Sequence, residues 1–398
     1  MPADPKIVEK RALPKRPAPQ PGDIAQAAEW LRAAKAPLVV LGGGAADAAP
    51  AIRRLVAHLD APVVNTVNAK GILPPNHPLR IGENMAFPSV HRAIAEADVV
   101  LAIGTEFGET EMYPDPQPLV FRDKLIRVDI DPEQLVRGVS AHLPILADAG
   151  LAVAALNSAL NVPEKALTGS DSAGAKRAAI VRAATPKHWW PAVSLHHRLG
   201  KIVLDALPDV IIAGDSTEPV YAGNQFYAPD RPRSWFNSST GYGTLGYALP
   251  AAIGAKAGMP ERTVWAVDGD GCFQMTAQEL VTATTERIPI KVAILNNAYL
   301  GMVRQWQEMF YEERYSEVYL SPDLPDYVKW AEAMGCVAFR VESPEEVAPT
   351  IEKANAINDR PVVVEFRTDA SEKVFPMVPP GQSNSDIVVG PGEEDVVQ

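Results

Sequence analysis

The feature that most constrains the fold is a set of short apolar runs that stop at glycine or aspartate. Residues 37–42 read PLVVLG, 61–66 APVVNT, 99–104 VVLAIG and 124–129 KLIRVD. Runs this continuously apolar need cover on both faces, which is the environment of a parallel strand. The intervening stretches 24–34, 50–59 and 89–97 have helical apolar spacing instead. The alternation returns later, with strand runs at 209–214 (DVIIAG), 263–267 (TVWAV), 291–295 (KVAIL) and 361–366 (PVVVEF). Helical stretches at 250–256, 276–286, 326–334 and 345–356 lie around them. The pattern predicts an α/β protein of two consecutive doubly wound parallel-sheet domains.

Punctuation sets the expected boundaries. Pro2, Pro5, Pro14, Pro17, Pro19 and Pro21 crowd the start of the chain. Proline fixes φ and removes a donor, so residues 1–22 read as an extended arm or linker. Residues 160–187 are rich in Ser, Ala, Gly, Lys and Asp without apolar periodicity, and read as an interdomain linker. The expected division is an arm (1–22), a central α/β domain (23–160), a linker (161–187), a second α/β domain (188–385) and a tail (386–398).

Composition excludes several functional classes. The 398 residues are 47% hydrophobic and 22% charged, an ordinary globular balance. A net charge of −12 argues against a nucleic-acid partner or an anionic membrane surface. Cys272 and Cys336 are too few for a disulfide scaffold or, by themselves, a structural zinc site, and read as buried thiols. His196 and His197 lack metal-ligand spacing with cysteine or carboxylate. No run approaches the roughly 20 apolar residues of a membrane helix, and the first 20 residues have no signal-like apolar core. A soluble, cytoplasmic protein is expected.

Chemistry concentrates in residues 263–307, TVWAVDGDGCFQMTAQELVTATTERIPIKVAILNNAYLGMVRQWQ. One strand runs into Gly269-Asp270-Gly271, and after a helix the next ends at Asn296-Asn297. In a parallel sheet both ends lie on the carboxyl edge, so Asp270 and Asn297 can face one point. A carboxylate oxygen and an amide oxygen, with positions left for phosphate oxygens and water, suit Mg²⁺. Each half also has a simpler reading, since Asp-Gly and Asn-Asn pairs commonly make turns. Gly42-Gly43-Gly44 after a strand could cradle a nucleotide or only turn the chain.

Together the GDG and NN motifs resemble the signature of thiamine diphosphate enzymes. Residues 239–254 (STGYGTLGYALPAAIG) look like the thiazolium loop of that family. Residues 301–307 (GMVRQWQ), with Phe310-Tyr311, Arg314-Tyr315-Ser316, Tyr327-Val328-Lys329 and 376–381 (PMVPPG), resemble the acetohydroxyacid (acetolactate) synthase large subunit. The resemblance implies that Asp270 and Asn297 hold Mg²⁺ by side chains and Tyr299 by its carbonyl. It implies that Gly269, Gly271 and Cys272 line the cofactor diphosphate, with Asp215, Ser216 and Thr217 adding contacts. Gly243 would accept from the aminopyrimidine, Leu245 would wedge under the cofactor, and Met275 would pack on the pyrimidine. Trp306 would shape the pocket for a second 2-oxoacid. Leu245, Met275 and Trp306 are also ordinary packing residues by type. The implied reaction is decarboxylation of a pyruvate-like 2-oxoacid with carboligation to a second. Alternatives are a simple decarboxylase, similar to the 5-guanidino-2-oxopentanoate enzyme, or an inactive cofactor-binding subunit or truncated product.

Two departures from the family matter. Its usual order begins with a pyrimidine-binding domain that carries the catalytic glutamate. Here Pro2-Ala3-Asp4-Pro5 looks like the end of that domain, so no residue of this chain inherits the glutamate role. The expectation is a separate subunit supplying it, in a homo- or hetero-oligomer. Secondly, residues 105–110 read TEFGET where acetohydroxyacid synthases carry an Arg-Phe-Asp-Asp-Arg-like stretch that helps hold FAD. Glu106 and Glu109 would repel a flavin diphosphate, which leaves FAD doubtful. Asn68-Ala69-Lys70-Gly71 and Gly104-Thr105-Glu106 look more like the decarboxylases.

Overall fold

The computed structural model describes residues 12–83, 85–108, 119–166, 169–185, 210–321, 325–371, 373–379 and 381–388. The segment 2–5, Glu109, Thr110, His196, His197, the first residue of the 209–214 run, Pro380 and most of the tail lie outside them.

Two six-stranded parallel sheets form, as the apolar runs require. The first contains β1 (Pro37–Leu41), β2 (Val63–Asn65), β3 (Arg80–Gly82), β4 (Val99–Ile103), β5 (Lys124–Asp129) and β6 (Leu143–Leu146). Its spatial order is 3-2-1-4-5-6. The second contains β7 (Ile211–Gly214), β8 (Trp235–Asn237), β9 (Val264–Gly269), β10 (Lys291–Asn296), β11 (Val337–Val341) and β12 (Val362–Arg367), in the order 11-12-10-9-7-8. Each sheet has a buried apolar cluster on both faces, so side chains of β1 alternate between one containing Val39 and Leu41 and another containing Leu38 and Val40. That two-sided burial is why the runs carry no polar alternation. Among the described residues no helix is long and apolar enough to cross a membrane.

The stretch read as a linker without periodic structure holds a helix, Ala173–Ala184. Its buried face is Gly174, Ala175 and Ala178, too small to raise a hydropathy signal. Polar anchors replace bulk. Asp60 accepts from the Ser172 hydroxyl (2.6 Å) and the Gly174 N–H (2.7 Å), and Arg177 donates to the Pro37 carbonyl (3.0 Å).

The first sheet reverses its strand order between β1 and β4, where open α/β sheets commonly bind ligands. Here two glycine turns close on each other. The Gly42 N–H donates to the Ile103 carbonyl (2.9 Å) and the Gly44 N–H to the Gly104 carbonyl (3.1 Å). A Cβ on Gly42 would lie 2.0 Å from the Gly104 oxygen. Close backbone packing therefore accounts for this glycine run without a nucleotide. Glu106 sits exposed on the same edge.

Candidate functional site

The second sheet brings the two motifs together at its carboxyl edge. β9 and β10 pair with Gly269 opposite Leu295, so Asp270 and Asn296-Asn297 leave neighbouring strands at one level. Asp270 opens the helix Asp270–Thr276 and is 3% exposed. Its Oδ1 accepts from the Gly271 N–H (3.0 Å) and its Oδ2 from the Ala298 N–H (3.0 Å). The Asn296 Oδ1 accepts from that same Ala298 N–H at 3.1 Å.

Ala298 has φ 62°, a left-handed conformation that costs a residue with a Cβ. The bend is held from several sides. Asn297 Oδ1 accepts from the Tyr299 N–H (3.0 Å), while Leu300 donates to the Val318 carbonyl and Leu320 to the Ala298 carbonyl, both at 2.8 Å. Behind the bend lies Glu365 of β12, fully buried. It accepts from Asn296 Nδ2 (2.7 Å), and pairs with Arg340 Nε (2.8 Å) and Arg367 Nε (2.9 Å). The loop bearing Asn297 is thus tied both to Asp270 and to the next strand.

Burial pushes the Asp270 carboxyl up to about 7, against the pull of the Gly271 and Ala298 amides. Among the described residues no ion pair forms at this carboxylate; its hydrogen-bond partners are backbone amides. A desolvated carboxylate without a countercharge, beside an amide oxygen, is a donor set that a hard divalent cation satisfies.

These groups line a cavity of about 160 Å³. Of the residues expected at the site, Ser216, Thr217, Leu245, Gly269, Asp270, Gly271, Cys272, Asn297 and Tyr299 all lie on its wall. The helices Glu218–Phe226 and Gly301–Phe310 both begin there. First-turn amides have no intrahelical acceptor, so two such ends favour an anion. The residues present therefore fit a diphosphate bound with a divalent metal.

Asp215, Gly243, Met275 and Trp306 do not line this cavity. Asp215, fully buried, accepts from the Ser216 N–H (2.7 Å) and the Ala248 N–H (2.8 Å). It thereby holds the turn after β7 and the start of the helix Ala248–Gly258. Gly243 has φ 66° and donates its N–H to the Ser238 carbonyl (3.1 Å). Leu245 and Met275 flank Gly246 and are partly exposed, at 37% and 56%. Cys272 donates its Sγ–H to the Ser216 carbonyl (3.3 Å), and burial pushes the thiol strongly up, so it is no nucleophile. Trp306 lines a second cavity of about 310 Å³ with Met85, Met302, Phe375 and Met377.

Tyr221 and Met302 are the shared wall of the two cavities, and the sequence reading did not single them out. Glu218 on the first cavity was missed as well, although Pro219 marks a helix start that places Glu218 in a first turn.

Comparison with known proteins agrees with this geometry. Residues 24–156 match the family described as thiamine pyrophosphate enzyme, central domain, and 215–366 match thiamine pyrophosphate enzyme, C-terminal TPP binding domain. The chain is 40% identical over 388 residues to the acetolactate synthase large subunit of Corynebacterium glutamicum, covering 93% of this chain and 60% of that protein. It is 30% identical over 413 residues to the acetolactate synthase large subunit of Haemophilus influenzae, covering 98% of this chain and 69% of that one. A Pseudomonas aeruginosa protein named "probable 2-ketoarginine decarboxylase" is 38% identical over 336 residues, 84% of this chain and 58% of its own length. Against the Corynebacterium protein the chain spans about 60% of the relative's length. The chain belongs to the thiamine pyrophosphate enzyme family and is similar to its acetolactate synthase large subunits.

Proposed function

We propose that this chain carries the metal and diphosphate half of a thiamine-diphosphate-dependent enzyme that decarboxylates a pyruvate-like 2-oxoacid and joins the product to a second one. The observation that carries the reading is the buried Asp270 carboxylate bound to the Ala298 amide, beside Asn297 and without a cationic partner among the described residues. In this reading Asp270 and Asn297 hold Mg²⁺ by side chains and Tyr299 by its carbonyl. The turn at Ser216-Thr217 and the backbone of Gly269, Gly271 and Cys272 receive the diphosphate. The cofactor, when bound, supplies the nucleophilic carbon and the electron sink of the reaction. The chain's own residues orient and dry the site. Asp215 fixes the turn that meets the phosphates, Gly243 offers its carbonyl, Leu245 and Met275 pack on the rings, and Trp306 bounds the space for the second substrate.

We further propose that a pyrimidine-binding subunit provides the family's glutamate, with the active site between chains of a cytoplasmic oligomer. Tyr242 and Leu245, with Met275 against the adjoining Gly246, expose apolar surface that such a partner would cover. The proposed partition remains a central unit (23–160), a connecting stretch (161–187) and a cofactor unit (188–385).

The test is turnover of pyruvate with thiamine diphosphate and Mg²⁺, by this chain alone and with a pyrimidine-domain protein. Acetoin colour after acid treatment, seen only in the mixture, supports the reading; full turnover by this chain alone contradicts the division of labour. Aldehyde release in place of acetoin favours a decarboxylase, the direction in which Asn68-Ala69-Lys70-Gly71 and the Pseudomonas relative point.

A further inference from the structure

We propose that Lys70 is a positioning residue, a buried cation of the first-sheet unit that fixes the far end of the helix whose near end lines the diphosphate cavity. The structural part stands on this chain alone; its effect on cofactor affinity rests on the function proposed above.

Lys70 follows the turn Val67–Ala69 and is 1% exposed. A buried ammonium must find acceptors, because its desolvation is otherwise uncompensated. One acceptor lies in each unit. Nζ donates to the Tyr227 carbonyl at 2.6 Å and pairs with Glu83 at 3.4 Å. Glu83 is itself tied to the first sheet, accepting from Arg80 (2.5 Å) and from Asn65 Nδ2 (3.2 Å). The Lys70 ammonium also lies 5.9 Å from the centre of the Trp235 ring on β8. The surrounding seam is tight, since a Cβ on Gly71 (φ 81°) would lie 2.1 Å from the Arg231 oxygen.

The position of the contact gives it a task. Tyr227 is the C-cap of the helix Glu218–Phe226, where carbonyls lack intrahelical donors and the helix dipole favours a cation. Thr217 and Glu218 at the other end lie on the first cavity, Tyr221 on both, and Asn224 and Gln225 on the second. A nine-residue helix is about 13 Å long. Holding one end against the first sheet therefore sets how the opposite end meets the diphosphate. Glu83 and Val67 line the second cavity too, so the same seam shapes the space that Trp306 bounds.

The experiment compares the full chain with Lys70→Met and with the double variant Lys70→Met/Glu83→Gln, which leaves no buried carboxylate without its ammonium. Amide hydrogen exchange is read at residues 220–227 and at β1 and β4, and calorimetry reads Mg²⁺-thiamine diphosphate affinity. The expected result is exchange accelerated roughly tenfold or more in the helix but not in the strands, with affinity weakened by a similar factor, as loss of a charge-assisted hydrogen bond implies. Equal acceleration in helix and strands, or no acceleration in the helix, overturns the proposal, and the double variant decides the matter if the single one does not fold. Absence of cofactor binding by the parent chain would count against the proposed function, while the exchange comparison still decides the role of Lys70.

Discussion

The Asp270 carboxylate accepts the Ala298 N–H at 3.0 Å, which joins the tip of β9 to the bend after β10 in one contact. Two segments separated by two short helices are thereby held side by side. The contact uses one lone pair of Oδ2 and leaves the carboxylate's charge uncompensated by any cationic side chain among the described residues.

Asp270→Asn removes that charge and keeps the side chain's shape. Metal-dependent thiamine diphosphate binding is expected to weaken by more than about 100-fold, beyond the loss typical of changes outside the first ring of ligands. Thermal unfolding of the metal-free variant should be no easier than that of the parent, because a desolvated carboxylate has been removed. Calorimetry and a melting curve on the same samples check both outcomes.

The raised Asp270 also sets a pH dependence. Its folded value of about 7 lies above the ordinary 3.8, so between these the folded metal-free chain binds more protons than the unfolded one. Its contribution to stability is therefore present at low pH and declines as pH rises through that window. Mg²⁺ must displace the proton, so affinity should rise with pH up to about 7 and level off above it. Titrations between pH 5.5 and 8.5, a range on the order of the shift, should show this slope in the parent and none in Asp270→Asn.

Glu365 pairs with Arg340 and Arg367 and accepts from Asn296, all around a fully buried carboxylate. Glu365→Ala should destabilise the fold by about 3–5 kcal/mol, the usual result of removing one partner from a buried ionic cluster. Urea unfolding measures this. Cofactor affinity should fall as well, since Asn296 fixes the loop that bears Asn297.

Gly42→Ala tests the closed turn of the first sheet. The added Cβ would meet the Gly104 carbonyl at 2.0 Å, and backbone has no rotamer with which to yield. A loss of about 3 kcal/mol or more is expected in the same unfolding assay. An unaffected variant would show that the β1 and β4 turns can separate freely.

How much of this was legible follows from strand position. The runs 37–42, 99–104, 263–267 and 291–295 became interior strands, whose two-sided burial forces continuous apolar sequence. The four strands that escaped the sequence reading, β3, β6, β8 and β11, are the edges of the two sheets. β3 and β8 are three residues long, β6 (LPIL) is interrupted by Pro144 and β11 (VAFRV) by Arg340, and these last two are largely half-buried or exposed. The helix Ala173–Ala184 was hidden by its alanine face. That Asp270 and Asn297 share one edge was legible because they end consecutive parallel strands of one sheet. Contacts such as Asn296–Glu365 and Lys70–Tyr227 depend on strand order and on how two units meet, which residue spacing does not encode. Asp215 shows the converse: its place after a strand suggested a ligand contact, but its two oxygens are turned to backbone amides.

The most direct measurement is calorimetric titration of Mg²⁺-thiamine diphosphate into the full chain and into Asp270→Asn, side by side. The account predicts one binding site in the parent, dependent on the divalent ion and weakened by more than about 100-fold in the variant. Equal binding by both proteins would contradict the claim that Asp270 anchors the metal-bound diphosphate.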